Sequence, residues 1–201
     1  DVGVNLMHKS FAKSLDAIIQ RSVDAGVKTL IITGTSEPSS QAALQLAKKL
    51  EPLPPPPAPS PPPPPEETRP LRLLYSTAGV HPHDAKRWGD GSLAVLRGLI
   101  EEEGRGVCVA VGECGLDFNR NFSPRPVQEF VFKAQVELAV ALRKPLFCHE
   151  REAHSSFLEI LDSVAGVEGK DVCVHCFTGT EAELREYVRR GFYVGFTACV
   201  C

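Results

Sequence analysis

Long hydrophobic runs are missing from this 201-residue sequence. No stretch approaches the roughly 18 consecutive apolar residues that a spanning helix needs, which excludes a helical transmembrane protein. Basic charge is not in excess either: 22 Lys and Arg stand against 25 Asp and Glu, for a formal net charge of −3. A protein that grips nucleic acid by bulk charge alone is thereby excluded. No G-x-G-x-x-G or G-x-x-x-x-G-K follows an apolar run, so the dinucleotide and phosphate-loop fingerprints are absent. No signal peptide is visible, and the opening Asp1, inside what reads as a strand, suggests a trimmed N-terminus.

Cysteine is present but in a pattern that excludes a disulfide scaffold. The seven cysteines are odd in number and sit in apolar segments rather than at regular loop spacings. They point to a reducing compartment, cytoplasmic or nuclear. Cys173 and Cys176 form a C-x-x-C, but within an apparent strand, where positions three apart face opposite ways. They read as two small buried residues rather than a metal pair.

What is there is ordinary globular material, 43% hydrophobic and 23% charged, enough for a single domain over residues 1–201 with a substantial core. One segment interrupts it. Between Pro52 and Pro65 eleven of fourteen residues are proline, followed by a polar stretch to Pro70. Lacking donors, this 52–70 insertion is expected to be extended polyproline II. It is either a solvated insertion or a ligand for an SH3 or WW groove.

The remainder alternates short β-rich runs with helical patterns. The runs are Val2–Asn5, Thr29–Thr33, Leu73–Val80, Val107–Gly112, Leu146–His149, Val172–Cys176 and Phe192–Thr197. Helices are expected between them. One lies around Ser92–Glu103, one starts at a Ser123 cap and runs to Leu142, and one opens on a Thr180/Glu183 capping box and stops at Gly191. Seven β/α repeats read as a parallel sheet with crossover helices. Polar residues recur at the C-terminal ends of many different strands: Asn5, His81 and His83, Glu113, His149 and His175. A closed barrel gathers all strand ends at one mouth, whereas an open sheet spreads them along an edge. The α/β fold expected is therefore a TIM (β/α)8 barrel, with about seven of its eight units present.

Glu113, His149 and His175 end three consecutive strands. Any one of them alone reads more simply as a hydrogen-bonded structural residue. Together they place a carboxylate and two imidazoles at one level, and a buried carboxylate without a partner is costly. Mixed oxygen and nitrogen donors suit Mg, Mn or Zn. A carboxylate can also bridge two such ions, as in many phosphoester hydrolases.

At these residues the sequence resembles the TatD-related metal-dependent nucleases. The matching motifs are Gly79-Val80-His81-Pro82-His83, Gly112-Glu113-Cys114-Gly115-Leu116-Asp117, His149-Glu150-Arg151-Glu152-Ala153-His154 and His175-Cys176-Phe177-Thr178-Gly179. Asp1–Leu6 and Phe118–Phe122 bring it nearest to the bacterial branch and its eukaryotic relatives. The resemblance implies a barrel hydrolase trimming DNA or RNA ends, 3′ to 5′ on single strands, with Mg or a similar cation. It implies that Glu113, His149 and His175 ligate one or two ions, with Glu113 the catalytic carboxylate, and that cation-activated water attacks phosphorus. His81, His83 and Arg151 are then substrate-binding candidates, with contact to metal the alternative for His81 and His83, of which His81 fits the family motif better. Arg151 is equally suited to a salt bridge with Glu150 or Glu152, and His154 to packing within the next helix.

Two departures stand out. The family's H-x-H pair after an Asp is replaced by Gly3 and Asn5. The Asp that the family's eighth strand supplies is not among these 201 residues, and about 50 to 60 further residues would be expected on the ~250-residue barrel norm. Two other readings are open: a metal-dependent hydrolase of a small amide or ester, and an inactive shortened form acting through its proline tract.

Overall fold

The computed structural model describes residues 1–49 and 73–197. The proline-rich insertion at 52–70 lies outside the described residues, as do Cys199 and Cys201. The chain runs β1 (Val2–Val4), α1 (Leu15–Asp24), β2 (Leu30–Ile32), α2 (Glu37–Lys49), β3 (Leu74–Ala78), α3 (Ser92–Arg97), β4 (Cys108–Asp117), α4 (Arg125–Leu142), β5 (Leu146–Arg151), α5 (His154–Ser163), β6 (Val172–His175), α6 (Glu181–Arg189) and β7 (Tyr193–Val194). All seven strands pair in parallel and in sequence order. Each crossover carries a helix, as parallel pairing requires. Among the described residues, no helix is long and apolar enough to cross a membrane.

The sheet curls. A methyl group on Gly3 of β1 would lie 2.9 Å from His175 at the end of β6, which a flat sheet would hold many strands away. The core forms where β3, β4 and β5 meet their helices. Val111, Leu116, Phe132, Val136, Phe157 and Val174 are all essentially without exposure, and Phe132 of α4 stacks on Phe157 of α5 at 5.1 Å. Truncating such a phenylalanine to alanine costs ~3–5 kcal/mol.

Local signals explain most element ends. Thr180 and Glu183 form the expected capping box of α6, and Gly191 follows it at φ 81°. Gly26, at φ 86°, follows α1 in the same way. The helix expected over Ser92–Glu103 divides at Gly98 into α3 and a wider turn, Gly98–Glu102. Ser123 does not cap α4. Its hydroxyl donates to the His83 carbonyl and accepts from the Lys86 amide, joining two loops, while Pro124 occupies the cap position.

Candidate metal centre

The largest difference from the sequence reading lies in β4. Gly112 was expected to end it, yet the strand continues to Asp117. Gly112 pairs with Phe147 and Cys114 with Cys148, so Glu113 is an extra residue in a bulge of β4. A bulge re-aims one side chain without ending the ladder. Gly112 and Gly115 permit it: at φ 143° and 132°, any side chain would run into the carbonyls of Phe147 and His149 respectively. The sequence places Glu113 after a strand; the structure places it inside one, aimed at the mouth.

Around Glu113 the imidazoles converge. His81 and His149 each offer a nitrogen that lies, together with a Glu113 oxygen, in a group no more than 4.8 Å across. His81 Nε2 is 3.6 Å and His149 Nδ1 3.4 Å from Glu113 Oε1. Register places His175 beside His149. His175 stands outside that triad, on the other side of Glu113, where both line a cavity of about 580 Å³ with Gly3, Asn5 and Thr35. Gly3 and Asn5, which stand where the H-x-H pair was expected, both border that cavity. Position 3 has no room for a side chain, since a methyl group there would sit 2.7 Å from Phe147 Cζ and 2.9 Å from His175.

Asp117 is the residue the sequence reading missed. It is 1% exposed, and its Oδ2 lies 2.7 Å from His83 Nε2 and 3.3 Å from His149 Nε2. Its Oδ1 accepts from the Asn119 and Arg120 amides. His149 is thus held between two carboxylates, and His83 faces Asp117 rather than Glu113. The signal was an acidic residue in the apolar run after Gly115, the usual mark of a carboxylate with fixed partners.

Two more residues went unnoticed, both on α4. Gln128 accepts from the Asp117 amide and donates to the carbonyls of Asp117 and Ser123. Gln135 accepts from the Val80 amide and donates to the Val80 carbonyl. Each satisfies backbone groups flanking the site that would otherwise be buried unpaired. Two amides seven residues apart on an apolar helix face are visible in sequence as an anomaly, and the structure explains it.

Arg151 makes neither of the salt bridges considered for it. Glu150 points away, accepting from the Ala153 amide and the Tyr187 hydroxyl, and Glu152 accepts from Asn119. Among the described residues the Arg151 guanidinium has no ion-pair partner. His154 begins α5 and meets Tyr187 at 3.0 Å, in packing as expected. Cys173 and Cys176 are free, and neither belongs to the metal-competent group among the described residues.

The electrostatics suit a cation. Burial pushes the Glu113 carboxyl up, but the His149 hydrogen bond and the neighbouring His81, His149 and His175 imidazoles outweigh it and hold the group below its ordinary range. Burial pushes His81 down to about 4 against the pull of Glu113, so its imidazole is neutral at pH 7. Burial lowers His175 as well. His149 Nε2 is buried without a properly directed hydrogen bond, despite its 3.3 Å approach to Asp117. An anionic Glu113 carboxylate and an orphaned imidazole nitrogen beside it suit a divalent cation.

Parallel strands in sequence order, with oxygen and nitrogen donors gathered at their C-terminal mouth, define a barrel hydrolase of the cation-binding class. The chain belongs to the TatD family: the model of the TatD related DNases matches residues 67–201. It is 42% identical to the 3′-5′ ssDNA/RNA exonuclease TatD of Cronobacter sakazakii and 40% identical to that of Shigella flexneri, over 100% of this chain. The matches span 67% and 68% of those relatives' lengths. Among solved structures, a TatD family hydrolase from Entamoeba histolytica superimposes with a TM-score of 0.79 at 25% identity, over 98% of this chain and 64% of that one. A TatD homolog from Escherichia coli gives 0.76 at 24% identity, over 97% of this chain and 66% of that one.

Proposed function

We propose that this chain is a divalent-cation-dependent nuclease that hydrolyses phosphodiester bonds at the ends of single-stranded DNA or RNA, in the 3′ to 5′ direction. The observation that carries the proposal is the buried Glu113 carboxylate between the His81 and His149 imidazoles at the sheet mouth. In this reading Glu113 and His149 hold the cation, with His175 a third ligand from the cavity side, outside the group that His81 completes, and with Mg the expected ion and Mn or Zn alternatives. A divalent cation bound there supplies charge neutralisation on phosphate and acidifies water at neutral pH.

The chain's own residues do the rest. Glu113 is kept anionic by its imidazole neighbours, so its oxygens are available to a cation at pH 7. The His81 Nδ1 accepts from the His83 amide, which leaves Nε2 facing the cluster and able to meet a substrate oxygen. His83 is oriented by Asp117. The unpaired fork of Arg151 suits two oxygens of one phosphate. A small amide or ester would leave that fork without a role. The free cysteines agree with a reducing compartment, cytoplasmic or nuclear. An SH3 or WW partner for residues 52–70 rests on composition alone.

Release of nucleotides from end-labelled single-stranded DNA in Mg, with EDTA as control, tests the reading. Glu113→Ala and His149→Ala are each expected to lose more than the 10–100-fold typical of an outer-shell partner, at unchanged circular dichroism. Full activity in either variant, or in EDTA, overturns it.

A further inference from the structure

Resting on the nuclease reading, we propose that Phe122 is a stacking platform for the base next to the scissile phosphate, with Arg120 as its cationic flank. Phe122 lies on the loop between β4 and α4, and the residue is 54% exposed. The ring meets His83 edge-on at 4.7 Å, and His83 meets His81 at 4.3 Å, so the exposed aromatic adjoins the cluster directly. The Arg120 guanidinium lies 6.0 Å from the Phe122 ring centre.

The loop is built to hold this pose. Asp117 Oδ1 receives the Asn119 and Arg120 amides while Oδ2 holds His83, so one buried carboxylate sets both the loop and the imidazole beside it. Asn121 takes a left-handed φ of 50° and bonds the Phe118 carbonyl. Lys86 Nζ bonds the Phe122 carbonyl. A comparison within the loop is instructive. Phe118 is partly buried and covered by Arg125 at 4.6 Å, whereas Phe122, four residues on, is held largely in water. A hydrogen-bonded loop that exposes a phenylalanine beside the candidate cation site, fringed by Arg120 and Lys86, matches how single strands are held. Bases stack on aromatic rings irrespective of sequence, and basic groups follow the backbone.

The test compares KM for a single-stranded oligonucleotide with KM for the same strand lacking its terminal bases. For the unaltered chain, the abasic strand is expected to show a KM about tenfold higher, the effect of losing one base stack. Phe122→Ala is expected to raise KM about tenfold for the intact strand and to leave KM for the abasic strand unchanged, while Phe122→Trp restores the discrimination. Arg120→Ala is expected to raise KM for both strands. Phe130→Ala, which removes an exposed ring on α4 away from the mouth, is the control. Equal KM values for Phe122→Ala and the unaltered chain overturn the platform. If the unaltered chain cleaves neither strand, the nuclease reading fails separately. Fluorescence anisotropy of a labelled oligonucleotide in EDTA then decides the platform, which stands if Phe122→Ala binds more weakly and falls if it binds equally.

Discussion

The mouth of the sheet has two unlike halves. On one side His81, Glu113, Asp117 and His149 are buried or nearly so, joined by contacts of 3.3–3.6 Å and backed by Gln128 and Gln135. On the other, Gly3 of the short strand β1, Asn5 just after it and His175 of β6 border an open cavity of about 580 Å³. The difference teaches where rigidity was placed. The first half has its geometry before any ligand arrives, as a preorganised site should. The second borders Gly3 and Asn5, where a side chain at position 3 would press on Phe147 and His175.

Acid should break the closed half most strongly. His81 falls to about 4 in the folded protein from an ordinary 6.5, because burial disfavours its charged form. The unfolded chain therefore binds more protons between those values, so stability is full above pH 6.5 and is lost as pH falls toward 4. That gap is worth roughly 3 kcal/mol. Glu113, Asp117 and His175 are also shifted down and act in the same sense. Urea unfolding in EDTA at pH 7.5, 5.5 and 4.5 measures the effect, and a flat profile would refute it.

A smaller break comes from the backing helix. Gln128→Leu keeps the bulk but strands the amide and carbonyl of Asp117, for an expected loss of about 2 kcal/mol. Thermal melts read the loss, and a neutral result would show that water replaces the amide. The open half should respond least. Gly3→Ala meets a φ of 113° and the movable ends of Phe147 and His175, so the expected cost is about 1 kcal/mol. A cost above that of Gln128→Leu would mean that the two halves are equally rigid.

The same contrast governs what the sequence could tell. The β/α alternation was legible because parallel strands and amphipathic helices have different periods, and Thr180 with Glu183 announced α6 outright. Glu113, His149 and His175 were legible as polar interruptions at strand ends, but the structure groups the first two with His81 and leaves His175 across the cavity. The bulge at Glu113 was not, because Gly112 and Gly115 look like strand breakers when their φ values are unknown. Asp117 was hidden for the same reason, falling beyond the apparent end of β4. Ser123 looked like a helix cap, since a serine before proline gives the same local signal whether its hydroxyl turns to its own helix or to a neighbouring loop. Tertiary partners, which no local pattern encodes, decided that.

Gln128 and Gln135 also fix a length. They lie seven residues apart on one helix, which at 1.5 Å per residue is about 10.5 Å, or roughly two turns. One is tied to the backbone at Val80, next to His81, and the other to Asp117. Helix α4 is therefore a ruler laid behind the mouth, and the spacing between the β3 and β4 loops is read from its pitch. A single residue inserted between its two marks would turn one amide about 100° away from its loop, however well the helix itself survived.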